Sequence, residues 1–347
     1  MSADLSRPRA LGEAVLTGRI RSEQQDFRVD EVLGFERSGS GEHLFLLIEK
    51  RGANTAWIAK QLAKWAAIAP MGVGYAGLKD RHAITRQWFS LHLPKRIAPA
   101  TPFEDPEATV IEQTWHNRKL PRGALKGNRF HLRLRAVEGE AAAIEQRLTD
   151  IAAGGVPNYF GAQRFGREGG NLDAARDMFG GRRVDREQRS ILISSARSAI
   201  FNALLAERVK RGDWDRLTQG EVCMLDGSHS VFGPEPITDA LIERARLIDI
   251  HPTGPLWGSG ALRCTGALAE LETACADAFA ELRAGLESVD LKQERRALRL
   301  PVRELIWRLE DAHTLNIEFF LPAGAFATSV LEVLGEIEDV GGRPMPG

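Results

Sequence analysis

The stretch Asn128-Arg-Phe-His-Leu-Arg-Leu-Arg135 carries the plainest structural signal in the chain. Phe130, Leu132 and Leu134 alternate with Arg129, His131, Arg133 and Arg135. A period of two belongs to a β-strand with one face in a core and the other outside, and here the outer face is strongly basic. Before it, Phe27, Val29 and Leu33 sit at odd positions of a strand-like run, and Leu44 to Ile48 is a continuous apolar run of buried-strand length. Ile84 to Leu93 and Val110 to Trp115 also read as strands. One helix interrupts them: Asn54 is its expected N-cap, Ile58, Leu62 and Trp65 form its apolar stripe, and Pro70 ends the pattern.

After the basic strand the character changes. Glu140 to Ala153 has a helical stripe closed by Gly154 and Gly155. The spacing predicts helices over Arg186–Arg211, Leu241–Ile250 and Ala267–Leu286. Sheet-like text returns at Ala297–Leu300, Leu305–Leu309 and Leu315–Leu321, and a last helix is expected over about Ala325–Ile337. Sheet, helical middle and sheet again predict an α+β fold: a mixed, mainly antiparallel sheet domain with an inserted, mostly helical α/β domain. The expected division is 1–154 and 302–347 for the discontinuous sheet domain and 155–301 for the insert. A length of 347 residues accommodates about two domains.

Hydrophobic residues at 43% and charged residues at 27% exclude disorder or coiled coil as descriptions of the whole chain. Lysine and arginine number 46 against 47 acids, a net charge of −1, so the chain is not a uniformly basic nucleic-acid binder; a local basic cleft remains open. The polar start from Met1 to Ala10 lacks an apolar segment and predicts no secretory signal. The most apolar stretch, Trp65 to Leu78, is too short and too broken by Pro70 and glycines to span a membrane. Cys223, Cys264 and Cys275 make no CxxC pair, which predicts reduced thiols in a cytoplasmic protein and no zinc site.

Phosphate-loop, zinc-protease, nucleophile-elbow and dinucleotide signatures are absent from the sequence, so chemistry must rest on carboxylates. Asp80 stands out. It lies between Lys79 and Arg81, with His82 and Arg86 close by, after a glycine-rich stretch and before a strand. Loops of this kind present functional groups, and the flanking cations suit a charged carboxylate. The competing reading is an acid in a solvated surface turn. The run Asn117 to Arg135 holds Arg118, Lys119, Arg122, Lys126, Arg129, Arg133 and Arg135 without an acid. Such density suits a polyanion, although acids from elsewhere could equally balance it. Phe27, Phe130, Tyr159, Phe160, Phe165 and Phe326 occur beside polar or basic residues, where rings can stack on bases; core packing is the alternative, and the preferred one for Phe130.

Five collinear motifs resemble the TruD family of tRNA pseudouridine synthases. They are Asp26-Phe-Arg-Val-Asp-Glu31, Ala76-Gly-Leu-Lys-Asp-Arg-His-Ala-Ile-Thr-Arg-Gln-Trp88, Leu120-Pro-Arg-Gly-Ala-Leu-Lys-Gly-Asn128, Val156-Pro-Asn-Tyr-Phe-Gly-Ala-Gln-Arg-Phe-Gly166 and Leu321-Pro-Ala-Gly-Ala-Phe-Ala-Thr-Ser-Val330. The resemblance implies the pseudouridine synthase sheet with a family-specific insert, and isomerisation of uridine, at uridine-13, in tRNA. By matching position it implies Asp80 as the catalytic carboxylate, with Phe27, Asn128 and Phe326 on the target nucleotide. Lys79, Arg81, His82, Lys126, Arg129, Gln163 and Arg164 are candidate RNA contacts within or beside the motifs. It implies tRNA as partner and neither metal nor organic cofactor, because exchanging a C–N for a C–C glycosidic bond involves no redox change. Whether Asp80 attacks the anomeric carbon or removes the 2′ proton stays open. One departure is Glu332, where family members often carry arginine; this puts a phosphate contact from that helix in question. A non-catalytic RNA-binding protein or RNA chaperone on the same fold would keep the basic strand without needing Asp80. A glycoside hydrolase would need two carboxylates about 5–10 Å apart, and the key motif offers one.

Overall fold

The computed structural model describes residues 7–341, apart from the side chain of Arg167. The first part of the chain builds seven strands and a helix: β1 (Leu16–Ile20), β2 (Phe27–Leu33), β3 (His43–Arg51), α1 (Thr55–Trp65), β4 (Val73–Tyr75), β5 (Ile84–His92), β6 (Ala108–His116) and β7 (Leu125–Glu138). Helix α2 (Ala141–Gly154) leads into β8 (Val156–Pro157), α3 (Gly170–Phe179), α4 (Arg186–Arg211), β9 (Cys223–Leu225), β10 (Val231–Phe232), α5 (Asp239–Arg246), β11 (Ile250–Leu256), α6 (Gly266–Asp277), α7 (Ala280–Ser288), β12 (Glu294–Ala297) and β13 (Arg299–Leu300). The chain closes with β14 (Arg303–Asp311), β15 (Thr314–Pro322), α8 (Ala327–Leu334) and β16 (Gly335–Asp339). These elements form two compact units. One comprises Ala14–Leu148, Val302–Ala327 and the chain from Leu334; the other comprises the chain up to Glu13, Thr149–Pro301 and Thr328–Val333.

In the first unit a ten-stranded sheet runs β14-β15-β7-β2-β5-β3-β6, with β4 beside β5 and with β1 between β7 and β16. Only β2 with β5 and β1 with β16 pair in parallel. The alternation around residue 130 does what a period of two dictates. Phe130, Leu132 and Leu134 are buried and lie opposite Phe319, Ile317 and Leu315 of β15, with the Phe130 and Phe319 rings stacked at 5.4 Å. Gly127 and Leu321 show how closely these strands meet, since a Cβ on Gly127 would lie 2.1 Å from the Leu321 carbonyl oxygen. The unbroken apolar run of β3 serves two faces. Leu44, Leu46 and Ile48 pack with Ile58 and Leu62 of α1, whereas Phe45 packs with Trp88 and Leu120.

The second unit wraps α4 with α3, α6 and α7, burying Leu192, Ile200, Phe201, Leu204 and Leu205. Beside them lies an antiparallel sheet in the order β10-β9-β11-β12. Helix α4 has the bounds its pattern predicts, with the Asp185 carboxylate capping its start and Gly212 at φ 71° ending it.

Three sequence expectations need correction. The helix expected over Leu241–Ile250 ends at Arg246, and Ile248 takes a positive φ before strand β11 begins. Pro252 and Pro255 hid that strand, yet β9 and β12 pair with it. The helix expected over Ala267–Leu286 is two, broken at Phe279, whose φ and ψ of −119° and 44° are not helical. The last helix stops at Leu334. Gly335 then opens a strand against Leu16, so close that a Cβ on Gly335 would sit 2.2 Å from the Leu16 carbonyl oxygen.

Candidate active site

Asp80 lies in an irregular loop between β4 and β5, in the sheet unit. Several bonds fix the backbone around it. Gln87 Nε2 donates to the Gly77 carbonyl at 2.7 Å, the Lys79 amide donates to Thr55 Oγ1 at 3.0 Å, and Thr55 Oγ1 donates to Gln87 Oε1 at 2.9 Å. The Asp80 carboxylate itself is held at two points. Its Oδ1 accepts from the His82 amide at 2.9 Å, and its Oδ2 pairs with Arg21 Nη2 at 2.9 Å. Its side chain remains 39% exposed, so the group is oriented but reachable.

The flanking cations do not do what their order along the chain suggests. Lys79 turns inward and pairs with Glu31 at 2.5 Å, while Arg81 and His82 stay exposed. Glu31 is fully buried and also accepts from the Trp88 amide at 2.9 Å. Burial pushes the Glu31 carboxyl above its usual range, against the pull of Lys79 and the Trp88 amide. The cation on Asp80 is Arg21, 59 positions earlier, which the sequence reading missed. Its guanidinium also lies 4.2 Å above the Phe27 ring centre and pairs with Asp339 at 2.7 Å. The signal for Glu31 was present: it shares the inward face of β2 with Phe27 and Val29, and a buried acid calls for a cation.

Phe27 is buried, edge-on to Phe130 at 6.3 Å, with Arg21 covering one face. Phe326 is half-buried in the turn that leaves β15. The register of the sheet relates the remaining residues. Asn128 lies opposite Glu31 on one side and Leu321 on the other, and the Ala323 amide donates to the Lys126 carbonyl. The Asn128 and Phe326 segments thus meet the strand whose Glu31 reaches the residue beside Asp80. The Asn128 Oδ1 is buried and has no hydrogen-bond partner, which leaves an acceptor for a donor to satisfy.

The basic face of β7 is matched by acids. Arg129 pairs with Glu304, Arg133 with Glu310 at 2.8 Å, and Arg135 with both Asp26 and Glu23. His131 lies between Asp30 at 3.3 Å and Glu318 at 3.2 Å. In the rest of that run Lys119 bonds the Met71 carbonyl and Arg122 lies over Tyr75. Arg118 and Lys126, like Arg81, are exposed and make no ion pair among the described residues. Gln163 and Arg164 belong to the other unit. There Gln163 is exposed, and Arg164 bonds Ser194 Oγ at 3.2 Å and faces the Phe160 ring. In that unit Glu332 pairs with Arg7 at 2.8 Å, and its carbonyl accepts from Arg9, so cations from the N-terminal stretch meet the acid that departs from the motif.

Among the described residues no group of histidines, cysteines and acids could hold a metal ion, and no helix is long and apolar enough to cross a membrane. All three cysteines are free and buried; burial pushes the thiols up to about 12 for Cys223 and Cys264 and about 11 for Cys275.

The family described as tRNA pseudouridine synthase D (TruD) matches residues 9–175 and 173–333. The chain belongs to the TruD family of tRNA pseudouridine synthases. It is 56% identical to the tRNA pseudouridine synthase D of Xanthomonas oryzae, over 98% of this chain and 97% of the relative. It is 46% identical to that of Methylococcus capsulatus, over 96% and 95%. A crystal structure from Methanosarcina mazei, described as a TruD protein, superposes with a TM-score of 0.69 over 96% of this chain and 97% of its own, at 20% identity. That likeness establishes the shared fold of an α+β enzyme family with mainly antiparallel sheets.

Proposed function

We propose that this protein isomerises uridine to pseudouridine in tRNA, at uridine-13, with Asp80 as the catalytic carboxylate. The observation that carries the reading is the half-exposed Asp80, paired with the Arg21 that lies over the Phe27 ring, inside a motif that resembles the family's. The reaction cleaves the bond from uracil N1 to the ribose anomeric carbon and forms one from C5 to that carbon. The C5 proton leaves and N1 gains one, so the change is redox-neutral. It requires a carboxylate that attacks the anomeric carbon or takes the 2′ proton, and a pocket that keeps the freed base while it turns.

A stacked uridine cannot reach Asp80, so it must be flipped out, at a cost of a few kcal/mol. Arg21 covers one face of Phe27, which makes Phe27 the seat of Arg21 and leaves Phe326 as the ring better placed to stack on the base. The unpaired Asn128 Oδ1 suits a donor such as uracil N3–H. The exposed Arg81, His82 and Lys126 suit the phosphates on either side.

Tritium release from tRNA carrying 5-tritiated uridine tests the reading, because replacing the C5 proton frees the label. Release is expected from tRNA with uridine at position 13 and not from the same tRNA with cytidine there. No release from either tRNA would refute the activity; equal release from both would refute the position. Binding without release would favour the non-catalytic RNA-binding protein.

A further inference from the structure

Lys50, near the end of β3, is fully buried. Its Nζ donates to the Ala53 carbonyl at 2.8 Å and to the Asp80 carbonyl at 3.1 Å. Ala53 lies in the turn that joins β3 to α1, so one ammonium ties that turn to the loop carrying Asp80. Other bonds hold the loop's main chain at residues 76, 77 and 79; the bond from Lys50 holds the main chain of residue 80 itself. Burying an ammonium is costly, and a methionine of similar length would fill the space without desolvating a charge. Retaining a lysine here makes sense if its donors and its charge act on what they touch.

We infer that Lys50 is a positioning residue for the isomerisation: its ammonium fixes the peptide of Asp80, and hence the direction of its Cα–Cβ bond, from beneath the site. The inference rests on the reading of Asp80 given above. Arg21 and the His82 amide orient the carboxylate, but neither holds the backbone from which it projects. The charged groups facing Lys50 are Asp80 and Glu31, which favour its charged form, and Lys79, which opposes it. Burial outweighs them and brings the ammonium down to about 8. The protonated form is therefore present below that pH and is lost as the pH rises through it.

The test compares wild type, Lys50→Met, Lys50→Gln and Asp80→Asn in single-turnover tritium release, with tRNA affinity and circular dichroism measured alongside. Misplacing a reacting group by 1 Å can cost about 100-fold. Lys50→Met should therefore lower the single-turnover rate by about tenfold or more while tRNA affinity stays within about threefold. The wild-type rate should fall above about pH 8, and a folded Lys50→Met should lack that limb. Lys50→Gln, which keeps a donor but no charge, serves if Lys50→Met does not fold, and should show the same flattening. A folded Lys50→Met or Lys50→Gln that turns over at the wild-type rate overturns the inference. An inactive wild type would instead sink the proposed function. An active wild type, a dead Asp80→Asn and an unaffected Lys50 variant would sink only the role of Lys50.

Discussion

The Asp80 loop and strand β7 look alike in sequence, since both crowd cations into a short stretch, yet the fold treats them in opposite ways. On β7, Arg129, Arg133 and Arg135 each meet an acid from a neighbouring segment, and His131 sits between two. In the loop, Lys79 is taken inward by Glu31, and Asp80 is left half-exposed with a single distant arginine. Charge density along a sequence therefore differs from charge available to a ligand. Acids on neighbouring segments consume the first kind along most of β7, and Lys126, exposed near the start of that strand without an ion pair among the described residues, keeps the second.

The contrast breaks most decisively at Asp80. Asp80→Asn should lower tritium release by about 1,000-fold or more, since an amide can neither attack nor take a proton. Its melting temperature should hold, because the side chain is half outside the fold. Turnover near the wild-type rate would mean that the loop is only a surface turn. Next in size is Arg21→Met, expected to slow single turnover by about 100-fold with tRNA affinity nearly unchanged, because what it removes is orientation. An equal loss of affinity would recast Arg21 as an RNA contact.

The two phenylalanines sharpen the comparison within the site. Phe326→Ala should slow turnover by about tenfold, in line with about 1–3 kcal/mol for a base stacked on a ring, and leave stability little changed. Phe27→Ala removes a buried ring packed on Phe130 and should lower stability by about 3–5 kcal/mol. Melting curves beside single-turnover rates separate these effects. The reverse pattern would make Phe27 the stacking platform and Phe326 ordinary core.

On β7 the charge cluster should act on stability. The Asp30 carboxylate 3.3 Å away raises the pKa of His131 above its ordinary value, burial opposes this, and Glu318 adds to the rise. Burial works against the Asp30 carboxylate, but His131 and Arg28 outweigh it and bring it down to about 2. A raised histidine contributes stability that is fully present below its unfolded pKa of about 6.5 and is lost as the pH rises through the folded value. The gap in melting temperature between wild type and His131→Gln should therefore be wide near pH 5.5 and close toward pH 8.5. A gap that widens with pH would show that His131 is held neutral.

Periodic segments were the legible ones. The alternation of β7, the stripe of α1 and the capped run of α4 each satisfy one local rule, and the fold repeats that rule. Strands β1 and β16 were missed because each is five residues long and gains its meaning from the other, more than 300 residues away. Strand β11 was missed because its prolines suppress the local signal that its partners restore. At the candidate site, Asp80 was legible because its setting lies in consecutive residues. Arg21 was not, because nothing local marks it. It takes a positive φ of 62° between β1 and β2, and only the folded sheet sets it over Phe27 and against Asp80.

The finest test of the comparison uses salt. If Arg129, Arg133 and Arg135 are neutralised within the sheet, they release few counterions when RNA binds, whereas the exposed lysine near the start of the same strand releases about one. Lys126 is exposed without an ion pair among the described residues, and Arg133 is paired with Glu310 at 2.8 Å. A plot of log affinity for tRNA against log salt should lose about 0.7–0.9 from its slope in Lys126→Ala. Arg133→Ala should leave the slope nearly unchanged, because removing one member of an internal pair alters no phosphate contact. Equal losses in the two variants would show that tRNA prises Arg133 from Glu310, and that the basic strand is a phosphate track after all.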